Sequence, residues 1–520
     1  LLFLLAGVIV YYIIPKKMQW VWLLVLSCFY YLCSGYKTII FIITTTIVTY
    51  FAGVFLNKEN ERIKNIPAQA DRSEKKKIKE DVKRRKKLIV ALLLVIIFGI
   101  LAVIKYHTFA IENINAVIGV FTGKYDTIPT FKLLLPLGIS FYTFQSAGYI
   151  IDVYRDKYEC CNNIFKFALF VSFFPQIMQG PIGRYDRLSP QFNEPHYFSL
   201  ENTEYGLQLM LWGFFKKIVI ADRIGVVADK VFLHPYDYNG IFVIVGVLAY
   251  CLQLYADFSG GMDVVSGAAE LYGIRLDKNF RQPFFSKSIG EFWRRWHITL
   301  GTWMKDYIFY PMSLSKGMNK LSKWGKKHLG NHLGRTLPIC FANLVIFFIV
   351  GIWHGAEVRY IAYGLYNGII IAFSNLCEPI YKKGLEKFHI NGDGRGWKIF
   401  KIIRTFILVN IGWIFDCCAL GMRTAVKMMT EMFTKLNVQL LTWDIFKQFE
   451  LKPKDYIVIA VGCVVIFIVG IFKEKGIKIR ETIASKPLAV RWLLYYGIII
   501  LALLFGYTDS GSSGFMYAAF

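Results

Sequence analysis

Leu344-Val-Ile-Phe-Phe-Ile-Val-Gly-Ile-Trp-His-Gly355 is the stretch from which the rest of the chain is read. Nine apolar or small residues run without a charge and end on Trp353-His354-Gly355. An ionisable group beside hydrocarbon is costly unless it faces a polar cavity or a partner, so His354 is a functional candidate by default. Neutral imidazole accepts a proton from a hydroxyl or thiol, and the glycine beside it permits close approach of substrate or backbone. A helix-end histidine bonded to a carbonyl would look the same. A second histidine closes Glu291-Phe-Trp-Arg-Arg-Trp-His297. If that segment is helical, Arg294 and His297 share a face, as do Trp293 and Trp296. Read alone, it is also what an interfacial helix looks like, with tryptophans at headgroup level and arginines on lipid phosphate.

The same apolar character extends outward. Of 520 residues, 55% are hydrophobic and 19% charged, with mean hydropathy +0.42. Soluble domains have about 45–50% apolar and about 25% charged residues. The excess falls in runs such as Trp20–Cys33, Ile39–Leu56, Leu88–Ile104, Leu133–Ile151, Phe165–Ile177, Ile241–Leu254, Ile399–Phe415 and Tyr456–Ile471. Hydropathy therefore predicts an all-α, polytopic integral membrane protein of roughly ten to thirteen membrane helices. The chain starts at Leu1 within an apolar segment, and a short N-terminal stretch is expected to precede it.

Net charge is +25, concentrated in 57–87, 316–335 and 382–404. Positive loops stay cytoplasmic and meet anionic lipid, so these stretches mark one side of the membrane. Ser73–Lys87 is expected to form an amphipathic cytoplasmic helix. No reading motif accompanies the charge, so nucleic acid is not an expected partner. The ten cysteines form no Cys-x-x-Cys pair; they are expected to be buried free thiols, and no metal is called for.

One integral-membrane domain over 1–520 is expected, with a core at 132–375 between plainer flanking helices at 1–131 and 376–520. The core is interrupted by Pro136, Gly138, Pro175, Gly180, Pro181 and Gly183, and it carries Gln145, Gln176, Gln179, Gln253, Asp257, Asp263 and Asn343 in apolar surroundings. Broken backbone and polar side chains at membrane depth line a cavity or lie buried in protein. Phe173–Tyr185, with Gln176 and Arg184, could wrap a tunnel or simply connect two helices. Gln253–Asp263 sets Asp257, Ser259 and Asp263 on one apolar stretch. Its carboxylates could orient a histidine or a donor, or pair with Arg294 or Arg295.

Taken together, Phe173–Leu188, Gln253–Asp263, Asn279–Asp306 and Asn343–Gly355 resemble the membrane-bound O-acyltransferase (MBOAT) superfamily. Within it they are similar to the bacterial branch that O-acetylates exported polysaccharides. The resemblance implies a ring of helices around a central tunnel, in a multi-pass protein of the bacterial cell membrane. It implies that His354 is the principal catalytic residue and His297 a second active-site residue. Trp293, Arg294, Arg295, Trp353, Asp257, Ser259, Asp263, Gln176, Arg184 and Asn343 are then candidate substrate-binding residues. By the same resemblance the donor is cytosolic acetyl-CoA, with no bound cofactor; Arg294, Arg295 and the basic cytoplasmic loops could hold its phosphates. The acceptor is an extracytoplasmic polysaccharide or a partner acetyltransferase that relays the group. The branch that moves D-alanine to teichoic acid is the nearest rival; it more often has asparagine where Arg294 stands. A further departure is Glu357-Val358-Arg359, where tryptophan is common, with Tyr363 at another tryptophan position. Outside this class, a transporter or flippase for an anionic or lipid-linked substrate, or an inactive scaffold recruiting a soluble transferase, remains open.

Overall fold

A computed structural model describes residues 2–67, 71–131, 133–177, 179–440 and 442–507. Among them there are helices and no strand. The fold is all-α and polytopic. Lys132, where the core was expected to begin, and Met178, inside the tunnel-like segment, lie outside the described residues.

Six helical stretches are long and apolar enough to cross a membrane: Lys16–Lys64, Arg72–Thr122, Ile241–Glu270, Asn331–His354, Pro453–Glu474 and Leu488–Phe505. The pair Val358–Leu376 and Glu378–Lys387, bent by 57°, makes a seventh if counted as one span. This is fewer than the hydropathy runs suggested, for identifiable reasons. Leu133–Ile151 becomes helical only from Ile139. Phe165–Ile177 is two short helices broken at Phe173. Apolarity is shared by short buried helices and by spans, and hydropathy alone does not separate them.

The chain divides into two compact units, Leu2–Leu207 with Val265–Asp277, and Gln208–Val264 with the described residues from Lys278 onward. Two of these limits, after Leu207 and after Val264, fall inside helices; the third, after Asp277, lies in a loop.

In the first unit, Arg72–Thr122 is a single helix of 51 residues. Asp71 caps it by accepting from the Ser73 N–H, and Gly123 ends it in the left-handed conformation (φ 72°). The basic segment Ser73–Lys87 is helical, and it runs on without a break into the apolar Leu88–Ile104. Leu88, Leu92, Val95 and Val103 point outward, as lipid-facing residues do. Cys28 and Cys33 are also exposed, so the cysteines are free but not all buried. After the short helix Phe174–Ile177 the backbone over residues 179–184 is not helical, and amides stitch the region: Gln176 Nε2 donates to the Pro181 carbonyl (2.6 Å), and Gln145 Nε2 to that of Phe170 (2.5 Å). Gly138 is required here. Its φ is 66°, and a Cβ would meet the Ile177 carbonyl oxygen at 2.1 Å.

In the second unit, the helix that ends at Leu233 widens to π-helix over Phe215–Ala221. Such bulges recur at functional or strained sites. Here the bulge carries Lys216 and Lys217, both buried. Lys216 meets Asp263 (2.6 Å) and Ser259 (2.8 Å); Lys217 meets Asp257 (2.6 Å) and Asp222 (2.8 Å). Arg223, one turn on, meets Asp455 at 3.0 Å. Asp257 and Asp263 therefore pair with lysines of this helix, and not with Arg294 or Arg295. The sequence reading missed this because Lys216-Lys217 interrupts an otherwise apolar run.

Candidate active site

His354 is the last residue of the helix Asn331–His354. The next helix, Val358–Leu376, returns against it through glycines. A Cβ on Gly351 would meet the Tyr360 carbonyl oxygen at 2.5 Å, and one on Gly364 that of Phe347 at 2.1 Å. Such backbone-to-backbone packing leaves little play in the His354 position. What approaches Gly355 is the Tyr360 ring, 2.2 Å from where a Cβ would stand. His354 is buried, 5.2 Å from the Tyr363 ring, and its Nδ1 lies 3.7 Å from Asp416 Oδ1.

Asp416 closes another apolar helix, Arg395–Cys417, and is itself buried. The Tyr250 hydroxyl donates to its Oδ2 at 2.7 Å, and Arg359 Nη1 donates to its backbone carbonyl. Arg359 in turn holds the Glu357 carboxylate with two hydrogen bonds, 2.7 and 3.0 Å. The residues that depart from the common family pattern, Glu357 and Arg359, thus brace the element that carries Asp416.

The second histidine is built differently. The segment is not one helix, the condition on which Arg294 and His297 would share a face: Ile289–Arg295 ends, and a new helix starts at Ile298. Ser288 caps the first by accepting from Glu291 N–H (3.1 Å), and Glu291 reaches back to the Lys287 N–H (3.0 Å), close to a capping box. His297 sits in the break at φ 46°, ψ 53°. A left-handed non-glycine residue costs about 1–3 kcal/mol and persists where surrounding structure imposes it. Asn279 does so here. Its Oδ1 accepts from the Thr299 N–H and hydroxyl (both 2.9 Å) and lies 3.3 Å from His297 Nδ1. Its carbonyl accepts from the Ile298 N–H (3.0 Å). The Phe258 ring lies 5.0 Å from that of His297.

The two histidines meet at Trp353, whose indole is 5.6 Å from the His297 ring and 5.0 Å from the His354 ring. Trp293 is fixed beside them: its Nε1 donates to Asn367 Oδ1 (3.0 Å), and its ring packs on Phe347. A cavity of about 850 Å³ opens on this group, lined by Trp293, Arg294, His297, Lys305, Asn343 and Arg404 among apolar neighbours. Among the described residues, three cations line it and no carboxylate does. His354 and Trp353 are not part of its wall. Among the described residues, no cluster of three His, Cys, Asp or Glu side chains is arranged for a metal.

The predicted site residues separate accordingly. Trp293, Arg294, His297 and Asn343 share the cavity. Arg295 does not: it is held by Glu474 (2.7 and 3.0 Å) and Glu291 (2.8 Å), so its charge is already matched. Asp257, Ser259 and Asp263 belong to the lysine pairs. Gln176 and Arg184 are buried in the other unit. Sequence reasoning missed Asp416, Asn279, Lys305 and Arg404. The first was detectable, since Asp416 is a lone carboxylate ending an apolar run, the signal that singled out His354.

Fold and site define an integral membrane protein with a buried two-histidine centre beside a cationic cavity. The family model described as MBOAT, membrane-bound O-acyltransferase family, matches residues 161–422, half of the chain, and the chain belongs to that family. It is 37% identical over 316 residues to a probable alginate O-acetylase of Pseudomonas syringae pv. tomato, covering 61% of this chain and 55% of that protein. It is 31% identical over 343 residues to a peptidoglycan O-acetyltransferase of Helicobacter pylori (61% and 59%). A teichoic acid D-alanyltransferase of Bacillus subtilis is 29% identical over 293 residues (55% and 69%). The chain spans about half the length of the curated O-acetylase relatives it matches.

Proposed function

We propose that this protein is an O-acyltransferase that moves acetyl from cytosolic acetyl-CoA toward hydroxyls of an extracytoplasmic polysaccharide, directly or through a partner transferase. The observation that carries the reading is the cavity, where His297 shares a wall with Arg294, Lys305 and Arg404 and no acid. A thioester donor bearing phosphates matches that lining: cations meet phosphate, and the apolar wall meets the acyl-bearing arm. In this reading His354 accepts the acceptor hydroxyl's proton as the oxygen attacks the thioester carbonyl. His297 stabilises the oxyanion or orients the donor. The C–S bond breaks, and the imidazolium returns the proton to the leaving thiolate. Of the two arginines expected to hold phosphate, Arg294 serves and Arg295 does not. The O-acetylase names of the more similar relatives support acetyl as the group moved.

A D-alanyl group from a carrier protein is the second reading, favoured by similarity to the teichoic acid enzymes. The test is to offer purified protein in nanodiscs radiolabelled acetyl-CoA and, separately, a radiolabelled D-alanyl carrier protein, with polysaccharide acceptors present. Acetyl transfer alone supports the first reading. Transfer from the D-alanyl carrier alone replaces it.

A further inference from the structure

We infer that Asp416 is the positioning residue of His354, fixing which ring nitrogen is free to take a proton. The inference rests on the proposed role of His354 and names a partner for it on a distant helix.

Three observations converge. Asp416 Oδ1 is the carboxylate oxygen facing His354 Nδ1, at 3.7 Å, and both side chains are about 95% buried. That separation exceeds a hydrogen bond, but such contacts are often long without substrate and tighten in the working complex. Next, the carboxylate is held from behind. Tyr250 donates to Oδ2 from the helix Ile241–Glu270, leaving Oδ1 toward the imidazole. Finally, the hydrogen bonds of Arg359 bypass this carboxylate. Arg359 donates twice to Glu357, once to the Tyr360 hydroxyl and once to the Asp416 backbone carbonyl. The charged and titratable groups around Asp416 are thus Arg359, Glu357, Tyr250, Tyr360, Tyr363 and Cys417.

A carboxylate at Nδ1 holds the Nδ1–H tautomer, leaving Nε2 as the basic atom. When Nε2 takes the acceptor's proton, the imidazolium forms next to a fixed anion. The proton returns from Nε2 to the thiolate, and Asp416 keeps its charge throughout.

The test pairs turnover with a reading of the tautomer. In nanodiscs with radiolabelled acetyl-CoA, Asp416→Asn should lower kcat by about 10²- to 10⁴-fold, as loss of an orienting carboxylate does elsewhere, while KM for donor moves less than about threefold. Asp416→Glu should recover part of the loss, and Tyr250→Phe should cost less than about tenfold. Solid-state ¹⁵N NMR of histidine-labelled protein, assigned against His354→Gln, should show His354 protonated at Nδ1 in the wild type. That reading needs neither turnover nor a folded Asp416 variant. A wild-type His354 protonated only at Nε2 overturns the inference. So does an Asp416→Asn protein with wild-type kcat. If His354→Ala is inactive while Asp416→Asn is not, only the inference fails. If His354→Ala retains activity, the proposed base fails, and the NMR alone decides whether the pairing exists.

Discussion

Two groups of cations lie in apolar parts of the second unit, and their surroundings are opposite. Lys216, Lys217 and Arg223 each meet a carboxylate within 3.0 Å. Arg294, Lys305 and Arg404 line a cavity without one. A buried cation with its own anion is part of the architecture, and removing either member strands the other. A cation facing a cavity whose described lining carries no carboxylate is the electrostatic form of a site for an anion. Sequence composition makes the two groups look alike; their neighbours distinguish them.

The contrast breaks first, and hardest, at the paired group. Asp257→Ala removes one of the two carboxylates that Lys217 meets, and Lys217→Met takes the ammonium away from both. Each is expected to destabilise the folded protein by about 3–5 kcal/mol, the scale for a broken buried pair. Thermal unfolding in nanodiscs should show a large drop in Tm, and any lost activity should track the unfolded fraction. At the cavity the expectation reverses. Arg294→Gln, Lys305→Gln or Arg404→Gln should leave Tm nearly unchanged but raise KM for a phosphate-bearing donor. A lost charge-assisted hydrogen bond is worth about 1.5–3 kcal/mol, roughly 10- to 100-fold in KM. If any of the three lowers Tm as Asp257→Ala does while KM holds, it belongs with the paired group.

Arg295→Gln is the intermediate case. Its carboxylate partners are partly exposed, and we expect about 1 kcal/mol of lost stability with donor KM unchanged. A rise in KM equal to that of Arg294→Gln would return Arg295 to the donor site. The smallest effect is expected at Lys382–Glu378, a solvent-exposed pair at 2.7 Å. Breaking it should change stability by less than about 0.5 kcal/mol, and a larger shift in Tm would mean that exposed pairs matter more here than their burial implies.

How much of this was legible in the sequence follows the same division. The helical membrane fold was, because hydrocarbon length and apolar runs are linear properties of a chain. His354 and His297 stood out because each is an ionisable group in a setting that penalises it. The break at His297 was not legible. Helical spacing fits Glu291–His297, and it is the Asn279 contacts, eighteen residues upstream of His297, that impose the left-handed turn. The partners of Asp257 and Asp263 were misjudged for a related reason. Arginines more than thirty residues downstream looked available, while Lys216 and Lys217, which neutralise the acids, sit in a stretch whose apolar neighbours hide them. Asp416 lay in a flank that composition marked as plain, although it carried the same signal as His354. Long-range pairing is what a one-dimensional reading lacks.

The most direct test of the central claim is single-turnover transfer of radiolabelled acetyl from acetyl-CoA by purified protein in nanodiscs, wild type beside His354→Ala. The account predicts label leaving the donor in the wild type, and loss of transfer in the variant at unchanged Tm. Transfer by His354→Ala at the wild-type rate would contradict it.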